Sequence, residues 1–304
     1  MSRPINQHWV PQFYLRGFAT PETRCAKEAQ VWILSRRDSD GIEQLTNVRN
    51  VCAKRYLYAP KDRSGERSWE SDDRLKCIET LLAPMWRAVS EDFIALDDDS
   101  FRKALALFAA SMTLRHPDRI EEVSVLHSKI VEQFDSAPKH SDGTPAVNSL
   151  LHRGKEHRLN TSGWNEYKTW GKNDHHRFFA NSISTQTGNL AKLLLQKRWS
   201  VIFSETDQFV TSDRPVAIQN HSARSFGFET PGTIVFFPLS PRRMLAMDDT
   251  HEEPANQYYP MNPNSIGAFN YGTWHTTARF LITGRSIKEV LEEMQGWMAS
   301  EGFA

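Results

Sequence analysis

Residues 6–19 constrain the fold more than any other stretch of this 304-residue chain. Trp9, Phe13, Tyr14 and Phe18 stand there beside His8, Arg16 and a helix-starting Pro11. An N-terminal segment is ordinarily polar and loosely held. This one has to dock, because burying each large aromatic is worth about 1.5–3 kcal/mol relative to leaving it in water. Pro11 sits where a helix can begin, since its missing N–H would be unpaired there anyway. A short helix is therefore predicted to carry Phe13, Tyr14, Arg16 and Phe18 and to end at Gly17 or just beyond. His8 precedes it in extended or turn backbone. The four aromatics are expected to pack on strands from the C-terminal part of the chain.

The rest of the chain separates into blocks. Val31–Leu34 has strand character, Asp40-Gly41 signals a turn, and Ile42–Thr46 returns as a hairpin. Tyr56–Tyr58 reads as a third short strand, closed by Pro60. From Glu70 the period becomes helical, with Leu75, Ile78, Leu82, Met85 and Val89 on one face and Pro84 set to kink or split it. A second helix, capped by Ser100, carries Phe101, Leu105, Phe108 and Met112 and stops at His116-Pro117. A third turns Ile120, Val123, Leu126, Ile130 and Phe134 inward. Residues 136–172 lose periodicity and form the longest irregular stretch, the kind that is often functional. Asn173 or Asp174 caps a fourth helix with Phe179, Ile183, Leu190 and Leu194 on one face.

Strands follow at 201–203, 209–211, 234–237 and 243–246. Pro263 opens a helix bearing Ile266, Phe269, Trp274 and Thr277. A last strand covers 278–283, and Ser286 caps a closing helix. Strands and helices are segregated, which predicts an α+β fold: an N-terminal short helix and hairpin, a central helical bundle, then mostly antiparallel strands and a terminal helix. It reads as a single domain over 1–304, with β elements 1–60 and 199–285 packed together around a helical insertion of about 68–198.

Hydrophobic residues make up 39% and charged residues 24%, a globular but polar balance, and the net charge is zero. Locally the charge is uneven. Residues 66–100 hold ten acids against four bases, and residues 150–200 hold nine bases against three acids. These are either two solvated faces that attract each other or, for the second, a surface for a polyanion. Cys25, Cys52 and Cys77 are far apart and lack metal-ligand or redox spacing, which fits reduced thiols in a cytoplasm. No run approaches the length of a membrane span, and the start of the chain lacks the apolar core of a signal peptide.

Several polar side chains sit where apolar ones belong. Arg115 falls 14 residues after Phe101, close to the apolar direction of its helix. A guanidinium there either takes a carboxylate or anion or snorkels from the last turn. Glu79, at the edge of the preceding stripe, is the candidate partner, more often structural than catalytic. Asp213 ends a short strand before Arg214 and Pro215; Pro215 keeps Arg214 out of the helical region. Asp213 then either projects its carboxylate into a site or caps local N–H groups. Asn270 shares a face with Ile266 and Phe269; a buried amide must have its hydrogen bonds met, and pinning a loop is the plainer role. Asn6, Tyr14 and His8 complete the set at the opening stretch. The His152/His157 and His175/His176 pairs lack zinc spacing, and no metal is expected. Between 152 and 177, Arg153, Lys155, Arg158, Trp164, Tyr167, Trp170, Lys172 and Arg177 interleave bases with aromatics. That mix suits single-stranded nucleic acid, and a polar loop has the same composition.

The opening motif at 6–18 resembles that of domain-of-unknown-function family 4238, a mostly bacterial group. So do Asn50-Val51-Cys52 with Tyr56-Leu57-Tyr58, Arg115-His116-Pro117, Val210 to Pro215, and Phe237 to Pro241. The Asn270 helix with the strand after it is also similar, so the resemblance covers about residues 6–284. Gln7 stands where the family is often written with the first of two adjacent histidines. The resemblance implies relatedness and no activity.

Three functional readings follow. The first is a hydrolase-like site for a phosphate-containing substrate, possible nucleic acid included. There His8 is general acid or base, Asp213 orients it and Arg115 anchors the anion, with Asn6, Tyr14, Glu79, Asn270 and Arg214 lining the site. The second keeps the pocket and the 152–177 segment for anion or nucleic-acid binding without turnover, as in a regulator of phage defence. The third makes the polar set a structural network.

Overall fold

The computed structural model describes residues 3–36, 43–147, 149–152 and 155–302. The opening stretch enters as β1 (Asn6–His8) and continues as α1 (Gln12–Gly17), which starts directly after the extended Pro11. Trp9, Tyr14 and Phe18 are buried. Tyr14 stacks on Phe237 with ring centres 5.6 Å apart and also meets Trp86 and Phe108. The stretch therefore docks on a C-terminal strand and on the helical region together. β2 (Gln30–Ser35) and β3 (Glu43–Asn47) form the antiparallel hairpin; its expected Asp40-Gly41 turn and Ile42 lie outside the described residues. The next strand, β4 (Ala53–Arg55), pairs antiparallel with β1. It precedes the predicted Tyr56–Tyr58, which form a turn. Tyr56 takes φ of 54°, a left-handed backbone that breaks extension.

Pro84 splits the first long helix as its chemistry requires. α2 (Glu70–Leu82) gives way to a 3₁₀ turn at Ala83–Met85 and then to α3 (Trp86–Glu91). The interruption rotates the stripe, so Met85 faces solvent and Trp86 takes the buried place. α4 (Asp99–Leu114) is capped by Asp98 in place of Ser100: the Asp98 carboxylate accepts from Phe101 N at 2.7 Å. Along α5 (Arg119–Asp135) only His127 is buried, and Leu126 is exposed where the pattern turned it inward. That helix packs on α7 and leaves its apolar stripe half covered.

The stretch 136–172 is less irregular than its composition. It holds an antiparallel hairpin, β5 (Ser149–His152) and β6 (Lys155–Arg158), and a turn of helix, α6 (Trp164–Tyr167). α7 (Lys172–Gln196) starts after Gly171, whose N–H donates to Asp174 at 2.9 Å. Asp174 thus serves the cap from inside the first turn.

The C-terminal part contains β7 (Arg198–Phe203), β8 (Thr211–Ser212), β9 (Ala217–Gln219), β10 (Ile234–Ser240), β11 (Arg243–Asp248) and β12 (Gln257–Pro260). Then come α8 (Ile266–Thr276), β13 (Phe280–Thr283) and α9 (Ile287–Ser300), the last capped by Ser286. One sheet has the order β12-β7-β11-β10-β9, in which β12 and β7 run parallel and the other neighbours antiparallel. A second, antiparallel sheet has the order β3-β2-β13-β8, so the N-terminal hairpin pairs with strands from the far end of the chain. The class is α+β. The main core runs from α1 through α2–α4 and α7 to β7, β10 and β11. Among the described residues no helix is long and apolar enough to cross a membrane.

Candidate functional site

Pro117 stops α4 because proline breaks the helical hydrogen-bond ladder. The two residues ahead of it, Arg115 and His116, reach different partners.

Arg115 turns toward α2 and is fully buried. Its Nη1 lies 2.8 Å from Glu79 Oε1, and Nη2 reaches Met112 Sδ at 2.9 Å. Its backbone carbonyl accepts from the Tyr58 hydroxyl at 3.0 Å. Glu79 is thus the partner that the stripe spacing suggested, and the side chain does not snorkel. Neutralised and enclosed, Arg115 is out of reach of a ligand.

Glu79 faces a cleft of about 290 Å³ shared with Asn6, Gln7, His8, Asp72 and Lys76. His8 Nε2 lies 3.1 Å from the Arg49 carbonyl. A carbonyl only accepts, so Nε2 carries the proton and Nδ1 keeps its lone pair. Burial lowers the His8 pKa from 6.5; the Arg49 bond and Glu79 pull it up, and Arg115 pushes it further down. His8 is neutral near pH 7 as a result. Gln7 is buried, accepts from Tyr58 N at 2.7 Å and finds no protein acceptor for Nε2.

His116 turns the other way. Its Nε2 is 3.0 Å from Asp213 Oδ2, and its Nδ1 accepts from Asp118 N at 3.2 Å. The Nε2 proton is directed at Asp213, because a carboxylate only accepts. Asp213 is itself buried, at 1% exposure. Its Oδ1 accepts from Ala278 N at 3.0 Å, Arg279 N at 3.1 Å and Phe280 N at 3.4 Å. The Trp9 indole donates to the Asp213 carbonyl at 3.2 Å, and the Trp9 ring meets His116 edge-on at 5.6 Å. The histidine on Asp213 is thus His116, where His8 was expected. Pairing of β1 with β4 carries His8 to Arg49, while Pro117 turns His116 toward β8. His116 lies off the apolar stripe; its position just before the helix-stopping proline was the available signal.

Beyond this pair lies a cleft of about 450 Å³ lined by Arg36, Arg119, Arg214, His116 and His275, with Glu122 its carboxylate. Arg214 sits 3.4 Å from Glu122 and 3.8 Å from Asp118. Arg36 donates to the Trp274, His275 and Thr277 carbonyls at 3.2, 2.9 and 2.6 Å, closing the C-terminus of α8. Arg119 makes no ion pair among the described residues, and its guanidinium is uncommitted.

Tyr14 and Asn270 line neither cleft. The Tyr14 hydroxyl donates to the Pro238 carbonyl at 2.8 Å and takes the Thr211 hydroxyl at 2.7 Å; burial pushes the phenol well up. Asn270 accepts from Val210 N and donates to the Gln208 carbonyl, both at 3.1 Å, and so pins the chain ahead of β8. In the basic segment, Arg153 lies outside the described residues. Trp164 is buried against Phe134, and Tyr167 and Trp170 pack on His127 with ring centres 4.8 and 5.9 Å away. Tyr167 and Trp170 are half-buried and, with Trp164, line a cleft of about 490 Å³, and Arg177 pairs with Asp174. Among the described residues no three His, Cys, Asp or Glu side chains group as metal ligands.

Fold and site together define an α+β protein in which a buried Asp–His pair ties the end of α4 to the end of β8 beside an arginine-lined cleft. The family model described as protein of unknown function (DUF4238) matches residues 6–286, and the chain belongs to that family. No curated protein and no solved structure matches it.

Proposed function

We propose that this protein binds a compact phosphate-bearing ligand in the cleft between Arg119, Arg214 and Arg36. The observation behind this reading is the imbalance of the lining: three guanidiniums against one lining carboxylate, Glu122, with Asp118 3.8 Å from Arg214. Arginine presents a planar fork of donors that matches phosphate oxygens, and Arg119 has no ion-pair partner among the described residues to give up. The volume falls in the usual range for small-molecule sites, roughly 300–1,000 Å³.

Hydrolysis by His8, Arg115 and Asp213 acting together is not part of this reading. Arg115 is neutralised by Glu79, and the Asp213 carboxylate is saturated by His116 and backbone N–H groups. A second reading keeps acid–base chemistry at His8, supported by its neutral ring and by the Nδ1 lone pair left when Nε2 donates to Arg49.

Calorimetric titration with inorganic phosphate and with a nucleoside monophosphate tests the binding reading. Arg119→Ala and Arg214→Ala are each expected to weaken binding about tenfold without lowering the melting temperature. Affinity indifferent to both substitutions, or no binding in the millimolar range, overturns it. The same titrations with p-nitrophenyl phosphate, followed for released product, test the second reading: turnover that disappears in His8→Ala supports it, and no turnover removes it.

A further inference from the structure

Arg243 opens β11 opposite Phe203 of β7 and Ser240 of β10, and it is 5% exposed. A guanidinium keeps its charge inside a protein, so its burial calls for an anion. Among the described residues Arg243 has no ion pair. Its Nη2 donates to the main-chain carbonyl of Glu91, while Nε and Nη1 meet no protein acceptor. Four carboxylates stand near it: the exposed Asp92 and Glu205 make no ion pair with Arg243 among the described residues, and the other two are committed elsewhere. Asp207 is held between Arg24 at 2.5 Å and Arg242 at 2.7 Å, and the Glu91 carboxylate takes Arg87 at 3.0 Å.

What surrounds Arg243 instead is aromatic. The Phe93 ring centre lies 4.6 Å from the guanidinium carbon and that of Tyr258 5.4 Å. Ring faces attract the cation, but they do not satisfy N–H groups in the guanidinium plane. Burial accordingly lowers its pKa, against a pull upward from Tyr258, Asp92 and Glu91. Arg243 lines a cleft of about 600 Å³ together with Phe93, Phe203, Ser90 and Ser204. Phe93 is 65% exposed, an unusual place for a phenyl ring, and it is held by edge contacts to Phe203 and Tyr258 at 5.1 and 4.9 Å.

We infer that this cleft binds a small organic anion whose carboxylate or phosphate head pairs with Arg243 and whose apolar body lies on Phe93 and Phe203. It shares no lining residue with the Arg214 cleft, so it stands apart from the proposed function above. The buried cation supplies the charge complement and the exposed ring the apolar contact. A ligand with only one of the two features uses half of the site.

Benzoate and phenyl phosphate are the probes, with acetate and benzyl alcohol as controls, titrated by calorimetry into the full chain. Either aromatic anion is expected to bind, and the one that binds tighter to the Arg119→Ala chain identifies the head group. Acetate binds more weakly, and benzyl alcohol does not bind. Phe93→Ala is expected to keep the melting temperature and lose about tenfold in affinity. Arg243→Gln removes benzoate binding, and Arg119→Ala leaves benzoate binding at the wild-type level. Failure of both anions to bind overturns the inference. So does affinity unchanged in Phe93→Ala, which decides the matter alone if Arg243→Gln does not fold. A loss of benzoate binding that follows Arg119→Ala places that probe in the other cleft and also overturns it.

Discussion

Asp213 shows how a single carboxylate comes to be structural. One oxygen serves His116 and the other three consecutive backbone N–H groups at 278–280. In Asp213→Asn the amide NH₂ must point at a donor on one side or the other. The expected cost is about 2–3 kcal/mol, the range for a lost hydrogen bond to a charged group in a buried site, read as a lower urea midpoint with the slope unchanged. A midpoint equal to that of wild type would show that the carboxylate does not tie these segments. The Arg115–Glu79 pair was legible from spacing alone, because an arginine on an apolar stripe must find an anion and Glu79 edged the neighbouring stripe. The partners of Arg214 were not. Arg36 and Arg119 reach its cleft from distant segments, and nothing local in either segment marks that meeting. Arg243 was read only as the first residue of a strand, since its burial depends on sheet neighbours that no linear pattern reveals.

Among elements, the opening stretch carries the largest share of the stability argument. Trp9, Tyr14 and Phe18 are buried, and Tyr14 adds hydrogen bonds to Thr211 and Pro238. Three aromatics at about 1.5–3 kcal/mol each approach a typical whole-protein stability of about 5–15 kcal/mol. Deleting residues 1–19 is therefore expected to prevent folding or to lower the melting temperature severely. A truncated chain that melts like the full one would refute the docking role. This element announced itself because its aromatics have no other use. Pro84 was equally legible, since proline interrupts a helix whatever surrounds it. β9 and β12 escaped notice because they are short edge strands without apolar alternation. The turn at Tyr56 was hidden for a different reason: a left-handed tyrosine is imposed by tertiary packing and has no sequence signature.

At the scale of the whole molecule, the buried titrating groups set an acid limit in two steps. His8 and His176 are both held below 6.5, first by burial, with the Arg49 and Leu57 carbonyls opposing that shift. An unfolded chain takes up these protons near pH 6.5 while the folded chain still excludes them. The unfolded state then binds more protons, so stability rises with pH across that window and falls as pH drops below it. Asp118 and Asp207 supply the second step. Burial raises each carboxyl, but the hydrogen bonds from Arg279 to Asp118, and from Arg24 and Arg242 to Asp207, lower it further and leave both below 3.8. Their contribution is present above the unfolded value and is lost as pH falls through the folded ones. Thermal melts across both windows are expected to show a first decline beginning near the histidine value and a second below the carboxylate value. In the double variant His8→Gln, His176→Gln the first decline should flatten while the second remains, because glutamine keeps a hydrogen-bond donor for the carbonyls but takes up no proton. A first decline that persists in the double variant would assign it to other groups, the buried His175 among them, and remove His8 and His176 from the acid limit.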